Sequence, residues 1–267
     1  MKGPVTLLEN EDNWRTRMGL SFAGERVVFR GRDLFGDLKD VRWMELYLYG
    51  ITGRRFEEKQ IRLLEAIWTI CTSYPDPRIW NNRVAAIAGT ARSTATLAMS
   101  AATAVSEASI YGRRPDVRAI DFLKRSLRLL QDRNDLVSIL KEELEVHRGI
   151  PGYARPLVNS DERIEPLMDL ACELGYADGL YVKHAFHVEE TLLTHRYRMK
   201  MNVAALAAAL AADQGFSVEE YYRYLVPCFT AGLLPCFIDA VVHEEGTFLP
   251  LRCSRVNYAG VSKRNWT

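Results

Sequence analysis

Residues Val203–Asp213 read VAALAAALAAD, and this segment is the strongest structural signal in the chain. Alanine and leucine occupy nearly every position, so a helix built from it has no polar face and must be buried on most sides. The apolar run 203–212 has only half of the about 20 residues that a bilayer-spanning helix needs. We therefore predict a core helix against which the other helices of a soluble protein pack.

Helical periodicity covers most of the remaining chain. Apolar residues recur at helical spacing in the segments 42–49, 56–72, 79–110, 117–147 (two helices), 162–175, 179–195 and 225–244. The segment 79–110 is rich in alanine and serine, which predicts a packed interior or a subunit contact. Strand signal is confined to 25–29 and a few tail residues, so the pattern predicts an all-α fold.

A few residues mark the expected helix ends. Gly50 interrupts the first helical segment, and Gly175 is a C-terminal stop. Ser217 followed by Glu220 is typical of a helix start, because each side chain can bind the other's backbone N–H. Pro235 lies inside the last apolar helix and is expected to kink it.

The charge balance restricts the ligands. The 267 residues include 35 Lys plus Arg and 34 Asp plus Glu, a formal net charge of +1. A near-neutral chain has no general attraction for nucleic acid or for an anionic membrane, so we expect neither as a partner. An anionic ligand must therefore be held by a local cluster of cations.

The cysteines and the N-terminal sequence indicate the compartment. No two of the five cysteines have the CxxC spacing of a zinc or redox site, which favours free thiols in a reducing environment. Residues 1–14 carry acidic side chains and no long apolar run, so they do not have the pattern of a secretory signal. We predict a soluble, cytoplasmic protein.

Short motifs occur in a fixed order from residue 30 onward. They are RGRDL at 30–34, LYLYGITGR at 46–54, PGY at 151–153, DER at 161–163, MNV at 201–203, TAG at 230–232 and YAG at 258–260. With these motifs the chain resembles the citrate synthase family, including its short citryl-CoA lyase members. The resemblance implies an all-α, citrate synthase-like two-domain fold that forms a homodimer, with the active site between the domains. We expect a large, dimerisation domain at 1–112 and 226–267, and a small, acyl-CoA-binding domain at 113–225.

The resemblance also implies a chemistry, a Claisen-type condensation on a CoA thioester or its reverse. In that family an aspartate takes the α-proton, one histidine supports the enolate and a second polarises the acceptor carbonyl. A thioester α-proton is weakly acidic, so the reaction needs a positioned base and a hydrogen-bond donor for the enolate oxygen. Arginines bind the acceptor's carboxylates bidentately.

This sequence departs from the family where the catalytic groups belong. Tyr111 stands in the place of the first histidine, Arg155 in that of the second, and Ala204 in that of the aspartate. An earlier acceptor-binding histidine falls near Asp76, and the arginine before the TAG motif is Phe229. Alanine cannot abstract a proton, so the usual catalytic set is degenerate. The retained motifs indicate that the scaffold of the family is nevertheless kept.

Four residues are candidates to replace that set. Arg155 offers a cation for a carboxylate, a CoA phosphate or an enolate, and Tyr111 can donate a hydrogen bond to an oxyanion. Glu107 lies one helical turn before Tyr111 and is a candidate base. Asp76, on a turn between two prolines, is the second candidate base. For each of the four, the competing interpretation is an ordinary packed or surface side chain.

Three more arginines are candidates for substrate binding. Arg163 matches the family's acceptor-binding arginine, while Arg252 or Arg255 can take the place of its tail arginine if the tail reaches the partner's cleft. His184 and His187 share a helix face, but no further ligand completes a metal framework, so we expect no metal. We expect no bound cofactor, and a CoA thioester and a small carboxylate as ligands.

Two functions fit these features. The first is a divergent acyltransferase or lyase that makes or breaks a carbon–carbon bond between an acyl-CoA and a carboxylated partner through non-standard residues. The second is a catalytically inactive ligand-binding or subunit-pairing protein, which the alanine at position 204 favours. A third interpretation, a chance likeness in a helical protein, predicts a monomer.

Overall fold

The computed structural model describes residues 4–13, 15–72, 74–109, 112–155, 160–247 and 252–261. Tyr111, a predicted catalytic residue, lies outside this part. The helices are α1 (Pro4–Leu8), α2 (Trp43–Thr52), α3 (Glu58–Cys71), α4 (Trp80–Thr90), α5 (Ala95–Val105), α6 (Arg113–Arg133), α7 (Leu136–His147), α8 (Ile164–Leu174), α9 (Leu180–Thr194), α10 (Val203–Asp213), α11 (Val218–Leu225) and α12 (Thr230–Val242). One antiparallel sheet has the strands β1 (Gly19–Phe22), β2 (Arg26–Phe29) and β3 (Arg32–Asp33), in that order. The predicted all-α class is confirmed, with a small sheet at the predicted strand.

The sheet is joined to the end of α2 by an arginine. Arg30 Nε donates to the carbonyl of Gly50 over 2.9 Å, and its Nη2 donates to that of Ile51 over 3.2 Å, so two C-terminal carbonyls are satisfied. The helix runs through Gly50 and ends at Gly53, whose φ of 73° suits glycine. The predicted interruption at Gly50 is therefore wrong; a Cβ at Gly50 would lie 3.0 Å from the Phe29 ring, so a larger residue there would require a small shift of that ring.

Helix α10 occupies the centre of the main core. Nine of its eleven residues are buried, and it packs against α6, α9 and α3. Buried apolar residues of α2, α3 and α6–α11 form one continuous cluster with it. The helix without a polar face is thus surrounded by other helices, as its sequence predicts.

Helices α4, α5 and α12 form a second, smaller core. The long helix predicted over 79–110 is wrong, since the chain breaks between α4 and α5. Arg92 there has a left-handed backbone (φ 57°), and the side chain of Thr94 caps α5 by accepting the N–H of Leu97.

The apolar segment 218–242 is long enough to cross a membrane by length and composition alone. In the structure it is two helices, α11 in the main core and α12 in the second core, separated by turn residues 226–229. The helix predicted over 225–244 therefore starts later than expected. Pro227 lies in this turn and has no N–H to continue a helix.

Candidate functional site

The loop after α7 docks onto the start of α10. The N–H of Ala154 donates to the carbonyl of Lys200 over 2.7 Å, and the N–H of Asn202 donates to that of Gly152 over 2.9 Å. The side-chain amide of Asn202 also donates to the carbonyl of Ala154 over 3.0 Å. These bonds hold Arg155 beside the first turn of α10.

Ala204 lies in that first turn and is partly exposed. Its N–H donates to the side-chain oxygen of Asn202 over 2.9 Å, and the same Asn202 binds the residue before Arg155. Two of the positions at which the sequence departs from the citrate synthase family, Arg155 and Ala204, therefore lie at one site. A methyl group at Ala204 supplies neither an acid nor a base.

The docked loop has a left-handed backbone at two residues, Gly152 (φ 85°) and Ala154 (φ 83°). A Cβ at Gly152 would lie 2.6 Å from the Cβ of Ala205, so glycine is required for the close approach to α10. Ala154 keeps its Cβ in a conformation that costs an L-residue about 1–2 kcal/mol. The loop therefore holds local strain next to Arg155.

Asp161 is the most heavily bonded carboxylate near the loop. Its side chain is fully buried and accepts hydrogen bonds from Arg163 Nε and Nη2, both over 2.8 Å. It also accepts the N–H of Val203 over 2.9 Å, at the start of α10. Burial opposes ionisation, but these bonds outweigh it and lower the pKa of Asp161. The pair fixes Arg163 at the N-terminal end of α10.

Arg155 and a tyrosine share one carboxylate. Arg155 Nη1 lies 2.5 Å from Glu162 Oε2 and 3.5 Å from Asp161 Oδ1. The hydroxyl of Tyr74 donates to the other oxygen of Glu162 over 3.4 Å, and the guanidinium of Arg163 lies 5.9 Å from the Tyr74 ring centre. The proline-containing turn at 74–78 and the loop at 151–155 thus meet through Glu162.

Asp116 is a titratable residue that the sequence reasoning missed. It lies in the first turn of α6 and is partly buried. Burial raises the pKa of Asp116 to about 7, although nearby Arg163 and Arg113 oppose the rise. The sequence signal that could have identified Asp116 is its place as an acidic residue in the first turn of the helix after Tyr111. Its interaction with Arg163 is seen only in the folded chain.

The two predicted bases are each held by an arginine. Glu107 Oε1 lies 2.5 Å from Nη1 of Arg113, whose side chain is buried. Asp76 accepts bonds from Arg78 Nε (2.9 Å) and Nη2 (2.6 Å), and these bonds lower the pKa of Asp76. No hydrogen bond or ion pair within the described ranges joins either carboxylate to Arg155. Their catalytic roles stay predictions.

The predicted tail arginines lie at the surface. Arg252 and Arg255 are exposed, and neither side chain binds another residue among those the structure describes. Phe229, which stands in the place of the family's late arginine, has its ring 5.6 Å from the guanidinium carbon of Arg113. A role for the tail arginines therefore still depends on a partner subunit.

A cavity of about 440 Å³ opens beside the docked loop. Its lining residues are Ala154, Arg155, Ser160, Leu193, Arg198, Lys200 and Met201. Three of these residues are cations and none is acidic, so the cavity suits an anionic ligand. The sequence reasoning missed Arg198 and Lys200, although both stand shortly before the predicted core helix.

The fold has solved relatives, whereas no protein-family model and no curated protein sequence gives a significant match to the chain. The citryl-CoA lyase from Hydrogenobacter thermophilus is similar at a TM-score of 0.82 and 21% sequence identity, over 96% of this chain and 98% of that one. The ATP citrate lyase from Methanothrix soehngenii, in complex with citrate and coenzyme A, is similar at a TM-score of 0.69 and 16% identity, over 98% of this chain and 45% of that one.

A third relative is the citrate synthase from Thermoplasma acidophilum, in a ternary complex with carboxymethyl coenzyme A and oxaloacetate. It is similar at a TM-score of 0.65 and 14% identity, over 84% of this chain and 58% of that one. The predicted citrate synthase-like fold is confirmed. At these identities the likeness establishes the fold alone, and the activity depends on which groups the site holds.

Proposed function

We propose that the protein makes or breaks a carbon–carbon bond between an acyl-CoA and a carboxylated partner, as a divergent lyase or acyltransferase. The observation that best supports this is the arrangement of Arg155, Arg163 and the cationic cavity around the N-terminal end of α10. Cations for CoA phosphates and a guanidinium for a carboxylate thus lie next to each other. Relatives of the same fold carry citrate with coenzyme A, or carboxymethyl coenzyme A with oxaloacetate.

The cavity is the proposed site for the CoA part of the substrate. Arg198 and Lys200 are exposed in its lining, where they can bind phosphate oxygens. A hydrogen bond to a charged group contributes about 1.5–3 kcal/mol. A volume of about 440 Å³ lies in the range of ligand sites, and Leu193 and Met201 add apolar contact.

Arg163 is the proposed anchor for the carboxylate. Two of its nitrogens are taken by Asp161, while Nη1 makes no hydrogen bond to another described residue and is the donor left for a ligand. Arg155 can exchange its present partner, because the Glu162 side chain is 62% exposed. A ligand anion at Arg155 would then replace a carboxylate that is already solvated.

Cleavage needs two proton transfers and one bond-breaking step at this site. A general base takes the proton of the substrate hydroxyl, and the carbon–carbon bond then breaks to leave a keto acid while its electron pair passes into a thioester enolate. The enolate then takes a proton at carbon to become the acyl-CoA. We propose Arg155 as the cation that stabilises the enolate oxygen, with Tyr111 as a second donor predicted from the sequence. Ala204 supplies no proton, so another residue must carry it.

Turnover of citryl-CoA tests this proposal, with acetyl-CoA plus oxaloacetate for the reverse direction. Product formation by the wild-type protein is expected. Arg198→Ala should raise KM about tenfold through loss of one charge-assisted bond. Arg196→Ala, a neighbouring exposed arginine outside the cavity lining, is the matched control and should leave KM unchanged. No turnover in either direction, with these or other acyl-CoAs, would exclude the enzyme.

A catalytically inactive binding or subunit-pairing protein is the second candidate. The methyl group of Ala204 at the family's aspartate position favours it. Calorimetry with CoA and with oxaloacetate separates the two candidates, since binding without turnover supports the inactive protein. Absence of binding for both ligands would leave a structural role.

The homodimer is part of the same proposal. Helices α5 and α12 of the second core expose large apolar side chains, at Leu97 (63%), Leu234 (39%), Ile238 (57%) and Val242 (77%). Such an apolar surface is typical of a subunit contact. Ile238→Glu is expected to give a monomer in sedimentation, whereas Val146→Glu on α7 should not. A wild-type monomer would contradict the dimer.

Arg113 supports the proposed domain boundaries. Its Nε donates to the carbonyl of Leu225 over 3.1 Å, and its Nη2 donates to that of Val226. The chain is predicted to pass from one domain to the other at 112/113 and again at 225/226. Both of these boundaries therefore contact the buried side chain of Arg113. We infer that Arg113 holds the two chain segments at the domain boundary together.

A further inference from the structure

The carboxylate of Glu162 is held on both of its oxygens by residues from other parts of the chain. Arg155 Nη1 lies 2.5 Å from Oε2, and the hydroxyl of Tyr74 donates to Oε1 over 3.4 Å. A guanidinium and a tyrosine hydroxyl are groups with which proteins bind the carboxylate of a small ligand. Glu162 thus occupies a position in which a ligand carboxylate would meet the same two donors.

Both donors are held in place by contacts that do not involve Glu162. The loop that carries Arg155 is bound to the start of α10 through the side-chain amide of Asn202. The backbone at Tyr74 is held by Asn82 of α4, a buried residue whose side-chain amide donates to the carbonyl of Tyr74 and to that of the residue two positions later. The two donors therefore stay together when Glu162 moves away.

Glu162 is the member of this cluster that can leave most easily. Its side chain is 62% exposed, against 27% for that of Arg155. An ion pair with such an exposed partner adds little stability, because water solvates the separated carboxylate well. Asp161 differs, since its side chain is fully buried and bound by two nitrogens of Arg163. A ligand can therefore replace Glu162 but not Asp161.

The position that Glu162 occupies lies next to the proposed anchor Arg163. Arg155 Nη1 and Arg163 Nε contact the same oxygen, Oδ1 of Asp161, at 3.5 Å and 2.8 Å. One small ligand with two carboxylates can therefore reach both guanidinium groups. The hydrogen bonds and ion pairs of Arg155 with described residues are all made by Nη1, so its Nη2 and Nε stay available for an enolate oxygen.

We propose that Arg155 and Tyr74 form a second carboxylate subsite, and that Glu162 competes with the ligand for it. In the free protein the carboxylate of Glu162 fills the subsite. It turns into solvent when a dicarboxylate binds Arg163 with one carboxylate and the subsite with the other. The proposal rests on the proposed function and deepens it by naming the groups that hold the second carboxylate and the residue that limits its affinity.

Calorimetric titration of wild-type protein and Glu162→Gln with oxaloacetate, which has two carboxylates, tests the competition. Removal of the competitor should tighten binding about fivefold, or about 1 kcal/mol, because an exposed ion pair no longer has to be broken. Pyruvate, which has one carboxylate and needs Arg163 alone, should gain less than twofold. Glu165→Gln is the matched control: it removes the same charge from an exposed residue of α8 that forms no ion pair in the described ranges, and should bind like wild type.

Tyr74→Phe tests the hydroxyl of the subsite, since it keeps the ring beside Arg163. Added to Glu162→Gln, it should weaken oxaloacetate binding about fivefold through loss of one hydrogen bond to a carboxylate. Unchanged affinity would remove Tyr74 from the subsite.

The outcomes separate this inference from the proposed function. Equal oxaloacetate affinity in wild type and Glu162→Gln overturns the competition. An equal gain in Glu162→Gln and Glu165→Gln also overturns it, because the gain would then come from net charge alone. In both cases oxaloacetate still binds and the proposed function stands. Absence of oxaloacetate binding in all of these proteins, together with absence of turnover, overturns the proposed function itself.

Discussion

Replacing Asp116 by asparagine is expected to stabilise the protein above neutral pH. Burial raises the pKa of this carboxyl from 3.8 to about 7. At about 1.4 kcal/mol for each pKa unit, the rise corresponds to about 4 kcal/mol of destabilisation of the ionised folded protein. The residue keeps some solvent exposure, so we expect about 2 kcal/mol.

The pH dependence of this effect has a definite sign. The unfolded chain ionises Asp116 near pH 4, whereas the folded chain retains the proton until about pH 7. The penalty is therefore nearly absent below about pH 3, grows between about pH 4 and 7, and is complete above pH 7. Asparagine cannot ionise, so its advantage over aspartate should follow the same course.

Thermal unfolding measures this advantage. At pH 8 a gain of about 2 kcal/mol corresponds to a rise in Tm of about 4–8 °C for a chain of this size. At pH 3, below the pKa of the unfolded chain, the two proteins should unfold within about 1 °C of each other. Asp121→Asn, which alters an exposed carboxylate on the same helix, should show no such pH-dependent gain. A gain of equal size at both pH values, or a less stable Asp116→Asn protein at pH 8, would refute the buried-carboxyl argument.

Three other substitutions test the geometry around the loop. Gly152→Ala should cost about 3 kcal/mol in urea unfolding, because its Cβ meets Ala205 at 2.6 Å and its φ is 85°. Ala154→Gly should change stability by less than about 0.5 kcal/mol, since relief of the strain at φ 83° offsets the entropy of a new glycine; a loss above 1 kcal/mol would contradict this. Asp161→Asn should cost about 2–3 kcal/mol at pH 7 by leaving Arg163 without its buried partner. The lowered pKa of Asp161 means that this contribution is present above about pH 4 and is lost as pH falls through the folded pKa, so the cost measured in urea should vanish in acid.

Local patterns in the sequence predict much of the fold. The apolar segment of α10, the Gly175 stop of α8 and the Ser217–Glu220 capping box are all observed as predicted. Each depends on residues within one or two helical turns. The break between α4 and α5 was missed because alanine-rich sequence favours helix throughout, and only the Thr94 cap signals the new start.

The sequence predicts less of the candidate site than of the fold. Motif order points to the loop at Arg155 and to Arg163, which the structure places at one end of α10. The electrostatic interaction of Asp116 in α6 with Arg163, the residue before α8, joins residues far apart in the chain, so no local spacing shows it. Arg198 and Lys200 likewise line one cavity with Arg155, a residue more than 40 positions earlier in the chain, and this is visible only in the folded protein.

The central claim is that a CoA ligand is held in the cationic cavity beside Arg155. Calorimetric titration of the protein with CoA, in the presence of oxaloacetate, tests it most directly. The account predicts binding by the wild-type protein, about tenfold weaker binding by Arg198→Ala and by Lys200→Ala, and unchanged binding by Arg196→Ala. Absence of CoA binding, or equal affinity in all four proteins, would contradict it.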